Sequence, residues 1–227
     1  MLHALLHLFF PELCSGCKKI LSPSEALLCL RCRHEIPFTR HEHLPQNEAF
    51  TKFYGRVEVE SVQCMLSYQK EGIVKNCIHR LKYQGKQEIG TLFGLWFCAD
   101  AKRLEQLSGI DYIIPVPLHP KKLKKRGYNQ VTTFANTISQ KTGIKVAENI
   151  LFRNYNTSTQ TKKNLFSRSQ LKSELFEAID NPEYYDCHLL IVDDVLTTGA
   201  TLENCIRALH KLRNCRISVA CMAFSQS

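Results

Sequence analysis

The chain has 227 residues, and at roughly 150 residues per domain this suits one α/β-sized domain plus a smaller appendage. Hydrophobic residues make up 44% and charged residues 22%, which excludes bulk disorder. The formal net charge of +9 favours polyanionic ligands: phosphorylated metabolites, nucleic acid or an anionic membrane surface.

The apolar run from Met1 to Pro11 is shorter than the ~20 residues a membrane span needs. It lacks a basic flank and a small-residue cleavage site, so it does not read as a secretory signal. Leu2, Leu5, Leu6, Phe9 and Leu13 fall at helical spacing, which predicts a short amphipathic helix docked on its own protein. A membrane-surface helix would carry Lys or Arg on its polar face, and here there is only histidine.

Cys14-Ser15-Gly16-Cys17 and Cys29-Leu30-Arg31-Cys32 form two CxxC knuckles with eleven residues between them. Four thiolates at this spacing can close a tetrahedral zinc site; a redox dithiol pair and a coincidental spacing are the alternatives. Such a site has no open position, so its role is structural. Gly16 is expected to ease the tight turn beneath the sulfurs. His34 offers a substitute ligand or is a surface histidine. The other seven cysteines (Cys64, Cys77, Cys98, Cys187, Cys205, Cys215 and Cys221) lie in apolar stretches and read as small core residues. An odd total of 11 without an export signal points to reduced thiols and a cytoplasmic location. Residues 1–50 are read as a small module that carries the four cysteines. The polar stretch His41 to Lys52 leads into a linking segment that ends near residue 60, and the main domain occupies 51–227.

From residue 61 strands and helices alternate. Ser61 to Tyr68 is a predicted strand. Ile73, Val74, Cys77, Ile78 and Leu81 mark one helical face, closed near Gly85. Ile89 to Leu107 reads as a second helix and Asp111 to Val116 as a short buried strand. Tyr128 to Thr142 reads as an amphipathic helix ended by Gly143, and Lys145 to Leu151 as a strand. Residues 152–175 are polar and basic and predict a long mobile loop of the kind that often forms a functional lid. Leu189 to Val192, Gly199 to Leu212 and Arg216 to Phe224 complete the series as strand, helix and strand. This order implies an α/β fold, a doubly wound parallel sheet covered on both faces.

Two strings carry chemistry. In LLIVDDVLTTGATL (189–202) an apolar strand delivers Asp193 and Asp194, and a Thr- and Gly-rich turn opens a helix. Gly199 permits φ > 0 and close backbone approach. Helix-start N–H groups with the hydroxyls of Thr197, Thr198 and Thr201 can surround a phosphate. Carboxylates beside such a cradle suit ribose hydroxyls or Mg²⁺. In IIPVPLHPKKLKKRGYNQ (113–130), Lys121, Lys122, Lys124, Lys125 and Arg126 are five basic residues in six. They read as an anion site for pyrophosphate, as a hold on a nucleic-acid backbone, or as a solvated basic loop. Tyr83 and Tyr128 stand beside basic residues, placed either to stack unpaired bases or to pack in the core.

VDDVLTTGAT resembles the phosphoribosyl-binding motif of type I phosphoribosyltransferases. The resemblance implies that Asp193 and Asp194 bind the ribose hydroxyls. It places Thr197, Thr198, Gly199, Ala200 and Thr201 on the 5′-phosphate of phosphoribosyl pyrophosphate (PRPP), bound with Mg²⁺. The order CxxC…CxxC, HRLKYQGK (79–86), PVPLHPKKLKKRGYNQ, TQTKK (159–163) and VDDVLTTGAT resembles the ComF family over essentially the whole chain. That family is linked with natural competence and DNA uptake. The resemblance implies a type I phosphoribosyltransferase fold behind a zinc-ribbon-like module over residues 1–50, with Lys121, Lys122 and Arg126 near the pyrophosphate. It places Gln160, Lys162, Lys163 and Arg168 on the mobile loop. The loop departs from the family pattern: Leu171 and Lys172 stand where Asn is expected ahead of Phe176. The functions implied are phosphoribosyl transfer to a nitrogen acceptor, or a PRPP-gated accessory role with single-stranded DNA or other DNA-uptake proteins as partners.

Overall fold

The computed structural model describes residues 11–154 and 175–226. The predicted amphipathic helix lies mostly outside them. Its last member, Leu13, bridges to Ile20 in an antiparallel turn instead of continuing a helix.

Five parallel strands form the main sheet in the order β1-β7-β6-β2-β3. They are β1 (Ser61–Tyr68), β2 (Tyr112–Pro115), β3 (Lys145–Val146), β6 (His188–Leu196) and β7 (Arg216–Ser225). β4 (Leu151–Arg153) and β5 (Phe176–Ala178) pair antiparallel beside it. The period-2 alternation of strand side chains builds two cores. Met65, Ile113, Leu190, Val192 and Met222 enter one. Cys64, Ile114, Leu189, Ile191 and Val219 enter the other. The first face is covered by α2 (Ile73–Tyr83), α3 (Glu88–Cys98) and α6 (Thr132–Thr142), and the second by α7 (Ala200–Leu209). The expected doubly wound α/β sheet is present.

The remaining helices are α1 (Leu30–Glu35), α4 (Ala101–Gln106) and α5 (Pro120–Arg126). The single helix expected over 89–107 is two helices, because Asp100 turns out of helical conformation and caps α4 by accepting the Arg103 N–H at 3.0 Å. The strand expected over 145–151 is likewise two, β3 and β4, in different sheets. The basic run 120–126 is helical, with Pro120 in its first turn and Gly127 (φ 79°) ending it.

The segment read as polar and linking is packed. Phe38 bridges antiparallel to Leu66, covering the outer edge of β1. His41, Glu42 and Asn47 are buried. Arg103 meets Glu42 at 2.6 Å, and the Asn47 amide donates to the Val62 carbonyl at 2.7 Å. Glu42 and Asn47 can be buried here because each finds a partner, whereas His41 Nδ1 has none among the described residues and its ring packs edge-on against Phe224.

Candidate functional site

The sheet places its site by topology. β2 and β6 are neighbours, yet β2 leads through α6 on one face and β6 through α7 on the other. Ligands of open α/β sheets bind at such a divergence, outside the strands' C-terminal ends. Asp193 and Asp194 lie there on β6, and β2 ends there at Pro115.

Asp193, Thr197, Thr198, Gly199, Ala200 and Thr201 line one concavity. Gly199 is left-handed (φ 80°) at the N-cap of α7, where a side chain would be strained. The threonine side of the turn is exposed, and α7 starts with N–H groups that the helix itself cannot pair. The turn is braced from below. The Arg56 guanidinium donates to the Thr198 carbonyl at 3.1 Å, and the Phe53 ring lies beneath Gly199. Burial and the charge of Asp194 push the Asp193 carboxyl up to about 7, against the opposing Asp194 N–H bond (2.8 Å) and the charge of Lys82.

Asp194 leaves the strand toward α2 and α6. Lys82 Nζ meets its Oδ1 at 2.7 Å and Gln130 Nε2 donates to its Oδ2 at 2.6 Å. Arg126 donates to Gln130 Oε1 at 2.6 Å and lies over the Tyr83 ring at 4.9 Å. Asn129 donates to the Val116 carbonyl at 2.9 Å and so ties this segment to the end of β2. The strings HRLKYQGK, RGYNQ and VDD therefore converge through side chains. Lys82, Tyr83, Gly85, Lys125, Arg126 and Tyr128 line a cavity of about 90 Å³ beside this knot. Tyr83 is 57% exposed, whereas Tyr128 is half-buried with its hydroxyl donating to the Leu81 carbonyl.

Of the residues singled out from sequence, the structure groups Asp193 with residues 197–201 and draws Arg126 to Asp194 through Gln130. Lys121 and Lys122 stand exposed on α5. Gln160, Lys162, Lys163 and Arg168 lie outside the described residues. Sequence reasoning missed Lys82 and Gln130 as partners of Asp194. Both sit inside the strings it quoted, but no local spacing signals the pairing.

A second centre lies in the first 36 residues. The sulfurs of Cys14, Cys17, Cys29 and Cys32 all lie within 4.8 Å of one another. A tetrahedral zinc–thiolate centre needs sulfurs about 3.8 Å apart, given zinc–sulfur bonds of ~2.3 Å, so the donor set fits a metal ion. Backbone N–H groups of Gly16 and Cys29 point at Cys14 Sγ at 3.4 and 3.3 Å. Burial raises the Cys14 thiol, but backbone N–H bonds from Cys17, Cys29 and Gly16 outweigh it and bring it down to about 7. His34 is exposed and not part of the cluster. Gly16 matters for space instead of positive φ: a Cβ there would come within 2.9 Å of Cys32 Sγ and of Ile73 Cγ2. Between residues 11 and 36 the residues in left-handed conformation are Lys18 and Leu27. Four of the other seven cysteines are fully buried in the core, Cys98 and Cys215 nearly so, and Cys187 is half-buried.

Residues 131–227 match the phosphoribosyl transferase domain. The chain is 32% identical over 214 residues to Competence protein F of Haemophilus influenzae, covering 91% of this chain and 88% of that protein. It is 25% identical over 223 residues to the DNA utilization protein YhgH of Escherichia coli strain K12, covering 92% and 89%. Competence protein ComFC of Bacillus subtilis matches at 27% over 142 residues, 63% of this chain and 55% of that one. With the four-thiol centre, the parallel sheet and the VDDVLTTGAT turn at its switch point, these similarities place the chain in the ComF family, as a protein with a phosphoribosyltransferase-type domain.

Proposed function

We propose that the chain binds PRPP with Mg²⁺ at the β6–α7 turn and acts from the cytoplasm in DNA uptake during natural transformation. The observation that carries the reading is the single concavity formed by Asp193 and residues 197–201 at the sheet's switch point. The names of its relatives, a competence protein and a DNA utilization protein, support the process. The helix-start N–H groups and the threonine hydroxyls would hold the 5′-phosphate. The acidic pair would take the ribose hydroxyls, and Lys121, Lys122 and Arg126 would face the pyrophosphate. Mg²⁺, when bound with the substrate, supplies positive charge to the phosphate oxygens. In the catalytic form of this reading, a nitrogen acceptor forms a bond to C1 of the ribose as the C1–oxygen bond to pyrophosphate breaks. The chain's own contribution is orientation and fixed charge at the leaving group. The four cysteines hold a structural zinc ion in a module over residues 1–50, and the transferase-type domain covers 51–227.

Calorimetric titration of the metal-replete chain with PRPP and Mg²⁺, with pyrophosphate release followed in the same samples, tests this. Binding with sustained release identifies a transferase. Binding without release identifies a PRPP-gated accessory protein. Absence of binding overturns the reading.

The accessory form has its own support. The exposed Tyr83 ring, Arg126 above it, and the neighbouring Lys82 and Lys125 combine a stacking surface with phosphate-binding charge. Single-stranded DNA should bind with an affinity that falls steeply with salt, and anisotropy titrations with and without PRPP would reveal any gating.

A further inference from the structure

We propose that Arg56 is a positioning residue for the β6–α7 turn: it holds the Thr198–Gly199 peptide so that the Gly199 N–H faces the phosphate. This deepens, and rests on, the reading of the turn as a phosphate site. The C=O and N–H of a trans peptide point opposite ways. Glycine takes either sign of φ, so at Gly199 (φ 80°) the backbone alone does not fix which of the two groups faces the ligand. The choice falls to Arg56, whose guanidinium donates to the Thr198 carbonyl at 3.1 Å. Among the described residues, none of the segment 47–58 lines the concavity. Arg56 therefore draws the carbonyl away from that concavity and turns the Gly199 N–H toward it. Gly199 is buried, and its N–H forms no hydrogen bond among the described residues. A buried donor without a partner is costly, and a phosphate oxygen would satisfy it.

The segment that carries Arg56 is anchored on both sides. Asn47 donates to the Val62 carbonyl of β1 at 2.7 Å and accepts the N–H groups of Ala49 and Phe50 at 3.0 Å each. Phe53 packs in the core beneath Gly199. Arg207 on α7 donates to the Arg56 carbonyl at 2.9 Å and to Glu203 at 2.9 Å. Glu203 in turn lies 3.6 Å from the Arg56 guanidinium. The guanidinium is thus placed by contacts with β1 and with the helix whose start it serves. The transferase-type match begins at residue 131, so the residue that sets the turn comes from outside it.

The full chain and its variants would be titrated with ribose 5-phosphate and, separately, with pyrophosphate plus Mg²⁺. The Arg56 side chain is 48% exposed, so its replacement should leave the chain folded. Arg56→Met should weaken ribose 5-phosphate about tenfold or more, the loss expected for a hydrogen bond to a charged group. It should leave pyrophosphate unchanged, because that ligand takes the basic end. Arg56→Lys keeps a cationic donor and should recover most of the lost affinity. Arg207→Met loosens the same seam without touching the turn; it should lower the melting temperature and leave both ligands unchanged. If Arg207→Met weakens ribose 5-phosphate as much as Arg56→Met does, general packing governs the turn and the proposal fails. It fails equally if Arg56→Met weakens both ligands alike or neither.

Backbone NMR of the ligand-free chain gives a separate arm. The Thr198 carbonyl-carbon and Gly199 amide resonances should move in Arg56→Met and stay in place in Arg207→Met. Unmoved resonances in Arg56→Met overturn the proposal whatever binds. An unmodified chain that binds neither PRPP nor ribose 5-phosphate overturns the phosphate reading itself, and these resonances still decide whether Arg56 holds the peptide.

Discussion

Asp193 sits where a carboxylate is costly. Its pKa is about 7 in the folded chain, because burial and the neighbouring Asp194 charge penalise the ionised form. In the unfolded chain it titrates near the ordinary value of about 3.9. The folded state therefore binds this proton more tightly. The stability it contributes is complete below about pH 4 and is lost as pH rises through about 7. Asp193→Asn removes that loss. The variant should melt above the unmodified chain at pH 8, with the gap closing as pH falls toward 4. Each kcal/mol recovered should appear as about 2–4 °C in a chain of this size. Calorimetric scans across this range check it, and a gap independent of pH would show that the Asp193 proton is not its cause. At this scale the sequence is informative about residue type and less so about partnership. The VDD pair and the turn after it can be read from one string, because strand, carboxylates and glycine are contiguous. Lys82 is 112 residues and Gln130 64 residues from Asp194 in sequence. Nothing local marks them as its partners. Gly16 was singled out correctly, but for conformation, when the crowding of Cys32 and Ile73 is what excludes a side chain.

Among the elements, α3 and α6 show how the site's supporting layer is built. Gly90 and Gly94 stand one turn apart on α3 and face α6. A Cβ on Gly94 would lie 2.6 Å from Thr137 Cβ and 3.2 Å from the Phe134 carbonyl oxygen. Neither neighbour is the free end of a flexible side chain, so Gly94→Ala must push the two helices apart. Overpacking of this kind costs about 1–3 kcal/mol, and equilibrium denaturation should show that loss. Unchanged stability would mean the helices re-pack without strain. Because α6 follows directly from the Asn129–Gln130 turn, the same variant should also weaken PRPP. Elements with a clean period were readable in the sequence: β1, α2, α6 (expected four residues too early, from Tyr128), and the β6–α7–β7 unit. The misses have physical causes. α5 offers Leu123 as its only apolar residue beyond Pro120, so no hydrophobic stripe announces it. The α3–α4 break depends on the capping bond at Asp100, inside a run whose apolar periodicity continues. The strap over the edge of β1 is polar in composition and becomes core only when Glu42 meets Arg103, 61 residues away.

Over the whole molecule, the four-thiol centre is joined to the domain that carries the β6–α7 turn. Cys14, Leu21, Leu28, Cys32 and Ile36 share one apolar cluster with α2, α3 and α6. Polar bonds reinforce this seam: Asn76 donates to the Gly16 carbonyl at 2.6 Å and Arg80 to the Leu13 carbonyl at 3.1 Å. Both donors are on α2, which also carries Lys82 to Asp194. A metal ion bound at the centre would therefore support the helix that reaches Asp194. In zinc-finger peptides a structural zinc ion contributes an apparent ~10–16 kcal/mol to folding, comparable with the whole stability of a typical domain, ~5–15 kcal/mol. Replacing Cys14 and Cys29 by Ser should release the metal and lower the melting of the entire chain, not of a separate N-terminal unit. Trp96 is the single tryptophan. It lies on α3, with Phe38 of the edge strap 6.0 Å and Phe93 5.9 Å from its ring. Its fluorescence should therefore change together with far-UV circular dichroism in one transition, at a lower temperature than in the metal-bound chain. PRPP affinity should fall in the same variant at temperatures where it is still folded, since α2 would no longer be anchored at its first turns. Two separated transitions would mean that the shared core does not couple the centre to the sheet. Retention of one equivalent of metal by the double variant would refute the four cysteines as its ligands.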